Sequence, residues 1–222
     1  MDEFQSEKEQ IDEIKQWWKA NGSFIITGLV LGVGVLSGWK YWNHFHDQRA
    51  AAASAQYEEL AQAIATNDRV AATDILGNLE GDFAATPYAS QAALAMAKLY
   101  VQSDEPVMAA EQLRNVVDTA KDDHLRLVAR LRLARVLLSQ ERADEALETL
   151  VVADPGSFAA RFHEVRGDVF AALDRNAEAR VEYQSALDKF EPGLFDRQLV
   201  EMKLNNLAGT SSDVAPVTEP DA

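Results

Sequence analysis

The chain has no cysteine among its 222 residues. That excludes disulfides, thiolate metal sites and a cysteine nucleophile. Positive charge is also scarce: 21 Lys and Arg face 36 Asp and Glu, for a formal net charge of −15. A nucleic-acid partner normally calls for a basic footprint, so this balance argues against one. It argues equally against adhesion of the folded part to anionic lipid. Proline is sparse before the last stretch, and nowhere do apolar and polar residues alternate as in a half-buried strand. Abundant alanine, leucine and glutamate favour helix instead.

Chemical motifs are missing too. There is no Gly-x-Ser-x-Gly, no glycine-rich phosphate loop and no dinucleotide fingerprint. Of the four histidines, His44 and His46 stand two apart on an expected helix, where their rings diverge by about 200°. Metal pairs on one helix face use a spacing of four, as in HExxH, which is absent. His124 and His163 stand alone. The many carboxylates single out no pair and read as solvated helix faces. The expectation is a protein that is not an enzyme, with no metal and no cofactor.

What the chain does have is one long oily segment, "NGSFIITGLVLGVGVLSGWKYWN", from Asn21 to Asn43. No charged side chain occurs from Ala20 to Trp39. About twenty helical residues at roughly 1.5 Å each span about 30 Å, the thickness of a bilayer's hydrocarbon core. Trp17 and Trp18 precede the run, and Trp39, Tyr41 and Trp42 close it, as interfacial aromatic belts do. Lys19 and Lys40 are placed to snorkel outward. A cleaved signal peptide fits poorly, because residues 1–21 hold six acids against three lysines and the small run "AAAASA" at 50–55 lies too far beyond. A buried core helix fits the aromatic bracketing poorly. Lys8, Lys15 and Lys19 before the helix, against Lys40 and Arg49 after it, lean toward a cytoplasmic N-terminus.

Within the segment, Gly28 and Gly32 form one small-xxx-small pair, and Gly34 and Gly38 another. Six residues turn a helix by about 600°, so the pairs face different sides. Either they let partner helices approach closely, or they reflect the ordinary abundance of glycine in membrane helices.

Beyond the segment the pattern predicts helices over about 44–66, 86–103, 106–120, 122–140, 142–153, 157–173, 176–190 and 194–208. Breaks are expected at Asp104-Glu105-Pro106, Asp122-Asp123, Asp154-Pro155-Gly156 and Glu191-Pro192-Gly193. Small and large residues recur in register. Gly167, Phe170, Ala179, Tyr183 and Ala186 form the clearest unit, with Pro192 at its end. Ala134, Leu137, Ala146, Leu150 and Ala153 precede it, and Ala97, Tyr100, Ala109, Leu113 and Val116 come before those. The offsets are those of the tetratricopeptide repeat. A poorer unit lies around Leu60, Ala72, Leu76 and Leu79. Helix pairs of this kind bury their apolar faces only by stacking into a solenoid. Arg126, Arg130, Arg132 and Arg135 form the one basic cluster. Arg126 and Arg130 share a face and are the candidate partner-binding residues; the competing reading pairs them with Asp and Glu of neighbouring helices.

The fold class expected is therefore all-α, a transmembrane helix followed by a tetratricopeptide-like solenoid. The divisions are residues 1–21, a spanning helix at 22–42, a helical body at 43–208, and an acidic, disordered tail at 209–222.

With "GLVLGVGVLSGWKYWN" at 28–43, "LRLARVLLSQERADEALETL" at 131–150 and "MKLNNLAG" at 202–209, the chain resembles the YfgM family, ancillary subunits of the bacterial SecYEG translocon. The resemblance implies a type II single-pass inner-membrane protein with a cytoplasmic N-terminus and a periplasmic domain. It implies as partners SecYEG, the membrane-anchored chaperone PpiD and translocating polypeptides, with membrane lipid around the helix. It implies help in handing polypeptides to periplasmic chaperones and a part in envelope-stress regulation. The residues alone also allow a membrane-tethered scaffold for cell-division or wall-synthesis complexes.

Overall fold

The computed structural model describes residues 3–189 and 196–210, with side chains described for 11–189 and 196–207. Those residues form α-helices, one 3-10 turn and no strand. The chain divides into two units, residues 1–52 and 53–222.

The first unit is the greater part of α1 (Glu3–Ala65), a single helix that runs without a break through the oily segment. No proline interrupts it. Its polar residues bond backward into the helix: Asn21 Nδ2 donates to the Trp17 carbonyl at 3.0 Å, and Thr27 Oγ1 to that of Ser23 at 2.8 Å. Such bonds leave less polarity to be solvated from outside. The Trp18 ring covers Gly22, where a Cβ would lie 3.2 Å from Cε2.

The second unit begins with the last turns of α1 and continues through α2 (Arg69–Asp82), α3 (Pro87–Gln102), α4 (Pro106–Thr119), α5 (Asp123–Ser139), α6 (Ala143–Thr149), α7 (Ala159–Ala172), α8 (Asn176–Asp188) and α9 (Arg197–Thr210). Proline opens α3 and α4, where a missing N–H costs nothing. Asp122 caps α5 by accepting from the backbone of His124 and Leu125. Asp196 caps α9 in the same way, through Gln198 and Leu199. The sequence pattern carries the sixth helix to 153; it stops at Thr149, and the chain then turns through Asp154-Pro155 into the 3-10 turn at Gly156–Phe158. α2 emerges as a full helix from the region where only a poor repeat unit is legible. The expected break at Glu191-Pro192-Gly193 and the tail from 211 lie outside the described residues.

One backbone device repeats. Asn67, Asp104, Glu141 and Asp174 all have positive φ, from 56° to 60°. Each follows the first helix of a hairpin. The next residue's N–H reaches back five residues: Asp68 to Ala63, Glu105 to Tyr100, Arg142 to Leu137 and Arg175 to Phe170, at 2.8–2.9 Å. This is a Schellman closure, which satisfies orphan carbonyls and turns the chain into the second helix. Ordinary residues resist this conformation by about 1 kcal/mol or more, with Asn and Asp tolerating it best.

The interior follows the repeat offsets. Ala97, Ala134 and Gly167 on the first helices are buried, as are the large side chains sixteen positions later, Leu113, Leu150 and Tyr183, and Gly167 lies directly against the Tyr183 ring. The smallest residue meets the largest partner, so volume is conserved from repeat to repeat. A continuous apolar core extends from Ala53 to Val169. A second cluster, with Ala160, Ala179, Tyr183, Val200 and Leu207, is closed by α9.

Candidate functional site

Two surfaces stand out, one in each unit. In the first, the most apolar window of α1 has a mean hydropathy of 1.7 and is only 6% buried. A core helix of a soluble protein would be mostly covered; this one presents its oil outward and is long and apolar enough to cross a membrane. Trp17, Trp18, Trp39, Tyr41 and Trp42 are all exposed around it. A Cβ placed on Gly28, Gly32, Gly34 or Gly38 would meet nothing within 4 Å. These glycines are open notches on the helix surface.

In the second unit the candidate arginines have local work. Arg126 donates to the Ala120 carbonyl at 2.9 Å, just past the end of α4, and pairs with Asp123. Arg130 donates at 3.0 Å to the carbonyl of Thr149, the last residue of α6. Both cations thus sit at helix C-termini, where backbone carbonyls are unsatisfied and the dipole is negative.

The other two arginines of the cluster do something different. Arg132 and Arg135 both border two cavities along α5. One, of about 390 Å³, has Ala97, Lys98 and Val101 of α3, Leu113 of α4 and Val136 of α5 in its walls. The other, of about 230 Å³, lies toward the 3-10 turn and α7, with Val128, Leu131, Phe158 and Arg161. Together they make a groove with an apolar floor and a row of cations from three successive first helices. Among the described residues Lys98 and Arg132 carry no hydrogen bond or ion pair, and both are exposed.

Beside the groove is a buried charge network. Glu164 is 2% exposed. Its carboxylate receives Arg161 at 2.9 Å, Lys203 at 3.1 Å and Arg135 at 3.5 Å. Lys203, reaching from α9, also binds both oxygens of Asp168, at 2.7 and 2.8 Å. Tyr183 donates to Asp168 at 2.8 Å. Burial pushes the Glu164 carboxyl up, but the Lys203 charge, the hydrogen bonds from Arg161 and Lys203 and the Arg135 charge outweigh it, so its pKa is lowered. Burial, the Asp168 charge and the hydrogen bond to it push the Tyr183 phenol far up. The partners here are up to 39 residues apart in sequence, and no local motif marks them.

The histidines are tied into structure. His44 shares a 3.0 Å hydrogen bond with Gln48, and His163 one of 2.7 Å with Glu182, which Arg166 also contacts. Among the described residues no three of His, Asp and Glu gather as a metal would require.

A family model described as a tetratricopeptide repeat-like domain matches residues 15–209. The ancillary SecYEG translocon subunit of Escherichia coli (strain K12) is 30% identical over 94% of this chain and 100% of its own length. The protein of the same description from Haemophilus influenzae is 31% identical over 90% of this chain and 97% of its own, and that from Neisseria gonorrhoeae 32% over the same shares. Among solved structures, the crystal structure of BtubC from P. vanneervenii is 16% identical, covering 79% of this chain and 96% of that one, with a TM-score of 0.43. With the repeat offsets realised in its core and the relatives matched along nearly its whole length, the chain belongs to the family of ancillary SecYEG translocon subunits, whose body is a tetratricopeptide repeat-like domain.

Proposed function

We propose that the protein is a non-enzymatic adaptor of the SecYEG translocon, anchored in the inner membrane by α1, that helps pass translocated polypeptides to periplasmic chaperones. In this reading residues 1–21 are cytoplasmic and the helical-repeat body is periplasmic. The membrane-anchored chaperone PpiD is a partner, and the open faces at Gly28/Gly32 and Gly34/Gly38 dock against membrane helices of the complex. A part in envelope-stress regulation belongs to the same reading and rests on the family resemblance. One observation carries it: an outward-facing apolar helix and a helical-repeat body occur together in a chain that matches the whole length of a relative described as an ancillary translocon subunit.

The physical logic is that of a tether. A body held at the bilayer meets membrane-bound partners at an effective concentration on the order of millimolar, so weak contacts suffice. Photo-crosslinking residues placed at Gly28 and Gly34 in growing cells test the proposal. Adducts with SecYEG components are expected. Adducts confined to cell-division or wall-synthesis proteins would replace the adaptor with a scaffold. Undiminished copurification of SecYEG with a body that begins near residue 44, which lacks the apolar segment but keeps the last turns of α1, would remove the role given to the helix. Orientation is tested with a cysteine at Ser212, since the chain has no other. A membrane-impermeant maleimide is expected to label it in intact spheroplasts, and labelling only after lysis overturns the topology.

A further inference from the structure

The family model ends at residue 209, so the final stretch "SSDVAPVTEPDA", residues 211–222, lies outside the shared body. It holds three carboxylates, at Asp213, Glu219 and Asp221, with no Lys or Arg, and apolar Val214, Ala215 and Val217 lie between the first two. The groove along α5 is the complement. Lys98 and Arg132 stand unpaired among the described residues, Arg135 borders both cavities, and the floor is Val101, Leu113 and Val136. In a chain of net charge −15, unpaired cations over an apolar floor are a place for carboxylates that flank apolar side chains.

The path is short. α9 ends at Thr210, and its Lys203 shares the Glu164 carboxylate with Arg135 and Arg161, two residues of the groove wall. Twelve extended residues reach up to about 40 Å. Joined to the body, the segment meets the groove at an effective concentration on the order of millimolar, so a weak contact is enough to fill it. We propose that residues 211–222 dock in the α5 groove through Lys98, Arg132 and Arg135. This goes beyond the adaptor reading and does not depend on it.

The test uses the full chain in detergent, a variant ending at Thr210, and a fluorescein-labelled peptide of residues 211–222. The peptide is expected to bind the shortened variant, at least about tenfold more weakly the full chain, and more weakly in high salt because exposed cations are screened. Lys98→Glu with Arg132→Glu in the shortened variant is expected to lower affinity by at least about tenfold at unchanged helix content. No binding to a folded shortened variant, equal affinity for the two chain lengths, or indifference to charge reversal each overturns the proposal. A second measurement keeps the chain intact: a dye on Val217→Cys is expected to tumble faster once Lys98 and Arg132 are both changed to Gln. Unchanged anisotropy there means that the segment does not occupy the groove.

Discussion

Replacing Gly167 with alanine isolates the packing rule of the solenoid. Alanine favours helix over glycine by about 1 kcal/mol, so on an open helix the change stabilises. At Gly167 the new Cβ would lie 2.5 Å from Tyr183 Cε1, 2.6 Å from Cδ1 and 3.1 Å from Cζ. Carbon atoms rest at about 3.5–4.0 Å, so the ring must move by about 1 Å. It has little freedom to do so: Tyr183 is 3% exposed and its hydroxyl is held by Asp168. Overpacking of this kind costs about 1–3 kcal/mol, and loss of the hydroxyl bond adds about 1. Against the propensity gain, a net loss of about 1–3 kcal/mol is expected. Gly77 in α2 is the control, since a Cβ there meets nothing within 4 Å and the same change is expected to stabilise by up to about 1 kcal/mol. The decisive variant is Gly167→Ala with Tyr183→Leu, which copies the Ala134 and Leu150 pairing one repeat earlier. It is expected to recover at least half of the loss, with Asp168 still held by Lys203. Urea unfolding followed by circular dichroism measures all four proteins. Gly167→Ala at least as stable as the parent, or a double variant no better than the single one, refutes the reasoning.

The charge network gives a second expectation: Lys203→Met leaves Glu164 and Asp168 short of a cation and lowers stability by about 3 kcal/mol, read as a fall in urea midpoint. It also sets the acid limb. The folded carboxyl of Glu164 lies below its ordinary value, so its contribution is complete above that ordinary value and is lost as pH falls through the folded one. Glu164→Gln therefore flattens the decline of urea midpoint below about pH 4. Tyr183 gives the opposite sign: its phenol is raised, so stability is intact below about pH 10 and declines as pH rises beyond it, where only the unfolded chain ionises. Tyr183→Phe removes that limb. Finally, Glu141 is the one positive-φ residue of the four turns that is neither Asn nor Asp, and Glu141→Asn is expected to stabilise by up to about 1 kcal/mol in the same urea measurement.

Much of this fold is written in local signals. Proline at 87 and 106 and the carboxylate at 122 mark the starts of α3, α4 and α5, and the small–large offsets locate the helix pairs. Of the four Schellman turns, at 67, 104, 141 and 174, only the one at Asp104 coincides with a break expected from the sequence, because a single residue in the left-handed region carries no residue type that Asn, Asp and Glu share exclusively with turns. α2 was obscured by Gly77 and Gly81, which weaken a helical pattern without ending the helix. The groove is harder. Arg126 and Arg130 draw attention through their spacing of four, yet they bind nearby backbone, while Arg132 and Arg135 meet Lys98 and Arg161 only once three helices stack. Sequence spacing reports which residues share a helix face; it does not report what that face meets.

The same distinction explains the end of the solenoid. An internal repeat is covered on both sides by copies of itself, so an apolar stripe specifies its neighbour well enough. α9 has no such copy to its far side among the described residues, and slippage along α7 and α8 would cost its few apolar contacts little. One ammonium fixes the register. Lys203 meets two carboxylates that lie a helical turn apart on α7, and a displaced α9 would leave Glu164 buried without that charge. Buried ion pairs add little net stability over a well-packed apolar substitute, because desolvation offsets the attraction, but an unmatched buried carboxylate is costly. The network therefore acts mainly against misplacement of the cap.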